Sequence, residues 1–212
     1  EIMDLVISHT SDEHPWFQNA VSSADSPYRD YYFFRRGKED GSEPSNWLSA
    51  FGGSAWKYSE QTGEYYLHIF DPKQPDLNWE NPEVREEVYN IIKWWMEKGI
   101  AGFRIDAIID IKKALPFRDY AAGREDGLCD ISAMLENAEG IGEFLGEMRD
   151  AAFAPYKALT IGEVFNEKYD ELGDFIGENG YFSSMFDFSH VVEGQSRLGQ
   201  YDHRKINIDD YK

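Results

Sequence analysis

The sequence predicts an α/β fold built on parallel strands. Three observations carry this: short apolar runs alternate with amphipathic stretches of helical length, two of the apolar runs end in a carboxylate, and the longest amphipathic stretch is bounded by helix start and stop residues.

In chain order, residues 4–7 (Asp4-Leu5-Val6-Ile7) form a strand-like run that opens into a polar cluster, Ser8-His9-Thr10-Ser11-Asp12-Glu13-His14. From residue 10 to residue 79 the texture changes to aromatics, Gly, Pro and Ser, with Tyr31-Tyr32-Phe33-Phe34 and Tyr65-Tyr66-Leu67-His68-Ile69-Phe70 inside it. This reads as a small, irregular, strand-containing insert, in which residues 37–46 and Gly52-Gly53 look like mobile loops. Asn81 then supplies an N-cap, Pro82 the first helical position and Gly99 a stop, enclosing Val84, Val88, Ile91, Ile92 and Trp95 as a face at helical spacing. Residues 102–106 are the next strand. The polar stretch 116–130 behind it is either a border of the site or only a connection. Ile141, Phe144, Leu145 and Met148 mark another helix face, residues 159–163 another strand, Leu172, Phe175 and Ile176 a third helix, and residues 183–188 a further strand. The expected division is 1–9 with 80–212 as one domain and 10–79 as the inserted subdomain.

The two acid-terminated runs are Gly102-Phe103-Arg104-Ile105-Asp106 and Ile161-Gly162-Glu163. Residues two apart on a strand share a face, so the Arg104 guanidinium is placed to keep Asp106 ionised, as a nucleophile requires. Glu163 follows Leu159, Ile161 and Gly162 with no cation beside it in sequence, a setting that raises a carboxyl pKa toward ~6, as a general acid requires. Two such carboxylates about 5–5.5 Å apart are the machinery of retaining glycoside hydrolysis. Taken singly, an R-x-D string is more often a structural ion pair and Glu163 a helix N-terminal acid. Their combination with the polar cluster at His9 is what points to a site.

With DLVISHTSDEHPWF, YRDYYFFR, SAFGGSAW, YYLHIFDPKQPDLNWENPEVR, KGIAGFRIDAI and TIGEVF in order over most of residues 1–165, the chain resembles the α-amylase superfamily, glycoside hydrolase family 13. Within it the oligo-1,6-glucosidase and α-glucosidase group is the nearest match. The resemblance implies a partial (β/α)8 TIM barrel, roughly its third to sixth strands, with a β-containing insert that shapes the pocket. It implies Asp106 as catalytic nucleophile and Glu163 as general acid/base. Arg104 and His9 would bind the glucose ring next to the scissile bond, with Phe51, Phe70 and Gln74 lining the same pocket. Aromatic faces suit the C–H side of a pyranose and an amide its hydroxyls, although by residue type alone both phenylalanines would be core. The implied activity is retaining hydrolysis of terminal α-1,4 or α-1,6 bonds in short α-glucosides, with no cofactor and no metal. Sucrose isomerases and trehalose-6-phosphate hydrolases share the same acids. Amino-acid-transporter heavy chains share the barrel as non-enzymatic subunits, typically with incomplete acids.

Three departures from the family pattern stand out. The first motif ends Ser8-His9 where the family has Asn-His. Ala107, after the nucleophile position, leans toward α-1,4 links while QPDLN (residues 74–78) leans toward α-1,6, so linkage stays open. The third family acid, in a His-Asp motif on a later strand, does not appear; Asp202-His203 has the reverse order. The chain also opens almost directly on a strand and is shorter than a whole barrel, which suggests an excised segment. Little or no turnover is therefore expected of these 212 residues alone, and self-association through an uncovered half-barrel is expected of them.

With 40 acidic against 21 basic residues, a formal charge of −19 argues against nucleic acid. A phosphorylated sugar would need a local basic patch, for which Lys112-Lys113 is the candidate, although the pair reads first as a solvated helix start; His9 with His14 lacks metal-ligand spacing. The single Cys129 excludes an internal disulfide and points to a reducing, cytoplasmic setting. No apolar stretch is long enough to span a membrane.

Overall fold

The structure, a computed structural model, describes residues 1–164, 172–177 and 179–186. Its elements are β1 (Ile2–Leu5), α1 (Pro15–Ser22), β2 (Phe34–Arg35), β3 (Trp56–Ser59), β4 (Glu64–Leu67), α2 (Pro82–Glu97), β5 (Gly102–Ile105), α3 (Ser132–Asn137), α4 (Ile141–Met148), β6 (Leu159–Gly162), α5 (Leu172–Phe175) and β7 (Ser184–Met185). Strands β1, β5, β6 and β7 lie side by side in that order and all pair in parallel, the arrangement of successive strands in a (β/α)8 barrel. A second sheet, of order β2-β4-β3, is antiparallel. Asp187 and Phe188 of the last expected strand, and the Asp202-His203 pair, lie outside the described residues.

Helix α2 shows why the sequence signals were readable. The Asn81 side chain accepts the Glu83 N–H at 2.9 Å, Pro82 gives up no hydrogen bond at the first position, and Gly99 ends the helix at φ 95°, a value open to glycine. Its buried residues are Val84, Val88, Tyr89, Ile92 and Met96, whereas Ile91, expected on the inner face, is 41% exposed. At ~100° per residue these five centre between Val88 and Ile92, and Ile91 falls about a quarter turn away. Tyr89 and Met96 fill the other flank, and Trp95 is only partly covered.

Strands β5 and β6 approach unusually closely where they begin. A Cβ on Gly102 would stand 1.9 Å from the Leu159 carbonyl oxygen, so only glycine lets the two backbones pair here. Above that point Leu5, Ile7, Phe103, Ile105, Ile108 and Ile111 pack against Val84, Val88 and Ile92 and against Phe144, Leu145 and Met148 of α4. Phe17, Tyr31, Tyr32 and Tyr66 join this same core from the 10–79 region.

A second core gathers Phe33, Trp47, Trp56, Leu67 and Ile69 with Ala114 and Met134. The stretch 116–130 covers it. Its Phe117 ring lies 4.9 Å from Trp56 and 5.3 Å from Trp47, Trp47 Nε1 donates to the Arg118 carbonyl at 2.9 Å, and Lys38 pairs with Asp119 at 2.8 Å. Among the described residues no helix is long and apolar enough to cross a membrane.

Candidate active site

Asp106 and Glu163 stand one residue beyond the ends of neighbouring strands whose last residues, Ile105 and Gly162, are paired. The parallel ladder runs on through both acids. Asp106 N–H donates to the Leu5 carbonyl at 3.0 Å and Glu163 N–H to the Ile105 carbonyl at 2.9 Å. The two carboxylates therefore leave the backbone at the same height on the sheet.

Arg104 joins them. Its Nη1 lies 2.5 Å from Asp106 Oδ1 and 3.2 Å from Asp4 Oδ1, and its Nη2 lies 2.7 Å from Glu163 Oε2. The sharing of Arg104 by Asp106 agrees with their two-residue spacing. Its reach to Glu163 supplies a cation that the acid's own stretch of sequence lacks, because the parallel register sets Glu163 within the guanidinium's span. Asp4 faces Arg104 directly across β1 and β5 and was not singled out from the sequence.

Beyond Asp106 the chain turns sharply. Ala107 adopts a left-handed conformation, φ 42° and ψ 44°, strained for any residue with a Cβ and more so for a β-branched one. This turn aims the Ala107 N–H at Glu163 Oε2, 3.0 Å away. Burial pushes the Glu163 carboxyl above its ordinary value; the Ala107 amide and Arg104 pull it down, and a hydrogen bond and the charge of Asp106 push it up again.

A second group faces these acids from the start of the chain and from residues 51–74. The Gln74 amide oxygen accepts the Asp71 N–H at 3.1 Å, which turns its nitrogen toward His9 Nε2 at 2.9 Å. That ring nitrogen must then be the unprotonated one, and Nδ1–H donates to Ser8 Oγ at 2.9 Å. Ser8 is fully buried, so its hydroxyl orients His9 where the family has an asparagine. Burial holds the His9 pKa below 6.5 against the charges of Asp76 and Asp106, with Lys113 adding to the lowering. The Phe70 ring stands 5.4 Å from His9 and 6.0 Å from Phe51. Phe51 is 69% exposed, so the core reading that residue type favours does not hold for it.

Behind the site lies a charged cluster that the sequence concealed. Lys113, expected at a solvated helix start, is fully buried, with Nζ 2.7 Å from Asp76 Oδ2; Lys112 pairs with Glu80 at 2.6 Å. The correction is physical: residues 108–111 form a 3-10 turn of which Ile108 and Ile111 enter the core, and this carries the next side chains inward. A cavity of about 220 Å³ is lined by Ile109, Lys112, Leu135, Ile141, Phe175 and Tyr181; of the groups above it includes Lys112 but neither Asp106 nor Glu163. Among the described residues no three His, Cys, Asp or Glu side chains gather as a metal site. His14 instead caps α1, accepting the Trp16 N–H at 3.2 Å.

The profile of the α-amylase catalytic domain matches residues 1–212. Probable oligo-1,6-glucosidase 3 of Bacillus subtilis (strain 168) is 48% identical over 191 residues, 90% of this chain and 34% of that protein. The oligo-1,6-glucosidase of Halalkalibacterium halodurans is 43% identical over 212 residues, 100% of this chain and 38% of that protein. Among solved structures, a variant of trehalulose synthase MutB in complex with the substrate sucrose superposes with a TM-score of 0.90 at 35% identity, over 99% of this chain and 37% of that one. The chain spans just over a third of the length of these relatives. Motif order, parallel strand order and full-length profile match agree: the chain belongs to the α-amylase catalytic-domain family and forms part of its (β/α)8 barrel.

Proposed function

We propose that this chain is the catalytic segment of a retaining α-glucosidase that releases the terminal glucose of short α-1,4- or α-1,6-linked glucosides. The observation that carries the reading is the single guanidinium shared by Asp106 and Glu163, at 2.5 and 2.7 Å, which draws the two carboxyls onto one cation. Inverting enzymes need a gap of about 6.5–9.5 Å for a water; retaining enzymes need only about 5–5.5 Å. In this mechanism an Asp106 oxygen forms a bond to the anomeric carbon as the glycosidic C–O bond breaks. Glu163, whose carboxyl burial pushes above its ordinary value, gives its proton to the leaving oxygen. The resulting carboxylate then takes a proton from water, whose oxygen displaces Asp106 and frees glucose.

Arg104 and neutral His9 bind ring hydroxyls, Gln74 fixes the His9 tautomer, and Phe51 and Phe70 offer apolar faces to the sugar. An uncharged substrate suits this site, because Lys112 and Lys113 are both taken up by carboxylates and leave neither ammonium for a sugar phosphate. The test uses a polypeptide that carries this sequence and spans the relatives' full length. On an aryl α-glucoside its first-formed product is α-glucose by NMR, and Asp106→Asn lowers kcat at least about a thousandfold. β-Glucose as first product, or turnover indifferent to Asp106→Asn, would refute the reading.

A further inference from the structure

The Lys113–Asp76 ion pair takes no step in the chemistry above beyond its charges acting on His9, yet it is the one among the described residues with both side chains shut off from solvent, at 0% and 1% exposure. Lys113 directly follows the turn 108–111, which Ala107 and Lys112 flank, and its ammonium also donates to the Asp110 carbonyl. Asp76 lies two residues after Gln74. Its Oδ1 accepts the Ile69 N–H at 2.8 Å, its N–H donates to the Leu67 carbonyl at 3.0 Å, and its backbone bridges to His9. One contact thus joins the turn after the acid-bearing strand to the segment that carries Phe70, Gln74 and, through the bridge, His9.

Burying two charges is a poor way to gain stability, since their desolvation offsets most of the attraction and apolar side chains of similar volume hold a core at least as well. What the pair adds is a fixed contact between distant segments: the Lys113 ammonium stands 2.7 Å from Asp76 Oδ2, a buried oxygen that no hydrogen bond among the described residues satisfies. We propose that Lys113 and Asp76 are a positioning pair: they fix the spacing between the Asp106–Arg104–Glu163 cluster and the sugar-facing wall of His9, Gln74 and Phe70. Its consequence for substrate rests on the glucosidase reading; its consequence for the wall does not.

The test compares Lys113→Met, Asp76→Asn and the double variant in a polypeptide spanning the relatives' full length. The double variant leaves no unpaired buried charge and keeps an acceptor for the Ile69 N–H. It is expected to retain the parental circular dichroism and a similar thermal midpoint. Two readouts follow on any variant that does so. The ¹⁵N shifts of His9, which report one fixed Nδ1–H tautomer in the parent, report a mixture once the Gln74 amide moves. The Kd of a glucose-configured iminosugar rises at least about tenfold, with KM rising more than kcat falls. A folded double variant with the parental tautomer and parental iminosugar affinity overturns the proposal. Loss of fold in all three also overturns it, because the pair is then a folding element alone. Were the parent to show no hydrolysis sensitive to Asp106→Asn, the glucosidase reading would fail while the tautomer measurement still decides the positioning role.

Discussion

Replacing Asp110 with asparagine makes the protein more resistant to unfolding as pH rises, and the size of the gain follows from the site. Asp110 lies in the turn 108–111, where burial pushes its carboxyl up to about 7; Lys113 pulls it down, and Asp76, Asp106 and Glu163 push it up. In an unfolded chain an aspartate titrates near 4. Between those values the folded state holds a proton that the unfolded state has lost, so stability falls as pH rises through this window and levels off above the folded value. The full cost is on the order of 4 kcal/mol, of which roughly 2–3 kcal/mol accrues between pH 5 and pH 8. The asparagine amide has the shape of the protonated acid and cannot ionise. The assay is urea unfolding of parent and Asp110→Asn at unit steps from pH 5 to pH 8, with equal m-values as a control. Titration of His9 and Glu163 contributes to both proteins and largely cancels in the difference. Expected is a gap that widens with pH in favour of the variant. Parallel curves would mean that Asp110 does not sit in the dry, acid-flanked setting described.

Two further outcomes separate framework from site. Gly102→Ala places a Cβ 1.9 Å from a backbone oxygen that cannot swing aside, so β5 and β6 must part; the thermal midpoint drops by more than the ~1–3 kcal/mol of ordinary overpacking implies, and an unchanged midpoint refutes the close approach. Phe51→Ala removes a ring that is 69% exposed, so stability stays within about 0.5 kcal/mol while KM for the aryl α-glucoside rises several-fold; a large stability loss with unchanged KM would make Phe51 core after all.

What could be read in the chain beforehand was whatever its own neighbourhood determines. Asn81, Pro82 and Gly99 act on backbone groups one to four residues away, so the bounds of α2 were visible in the string. The ends of β5 and β6 were visible for the same reason, each being a short apolar run closed by an acid. The exact buried arc of α2 was not, because Ile91 and Met96 are both apolar and only the surrounding helices and sheet decide which one turns inward. Lys113 was misjudged because a lysine is buried only when a carboxylate meets it, and that carboxylate, Asp76, lies 37 positions earlier in a region of irregular texture.

The shared guanidinium shows what strand register adds to strand parity. Spacing alone puts Arg104 and Asp106 on one face of β5. The pairing Asp4↔Arg104↔Ile161 then brings Asp4 and, two residues past Ile161, Glu163 onto the same face, so that three carboxylates converge on one cation. Their environments still differ: Asp4 is 65% exposed, Asp106 25% and Glu163 14%. The contrast between the two candidate catalytic acids therefore does not come from one having a cation and the other lacking it. It comes from depth, and from the left-handed Ala107 that aims an amide at Glu163. A slip of one residue between β5 and β6 would send Glu163 to the opposite face of the sheet while leaving every motif in the string intact.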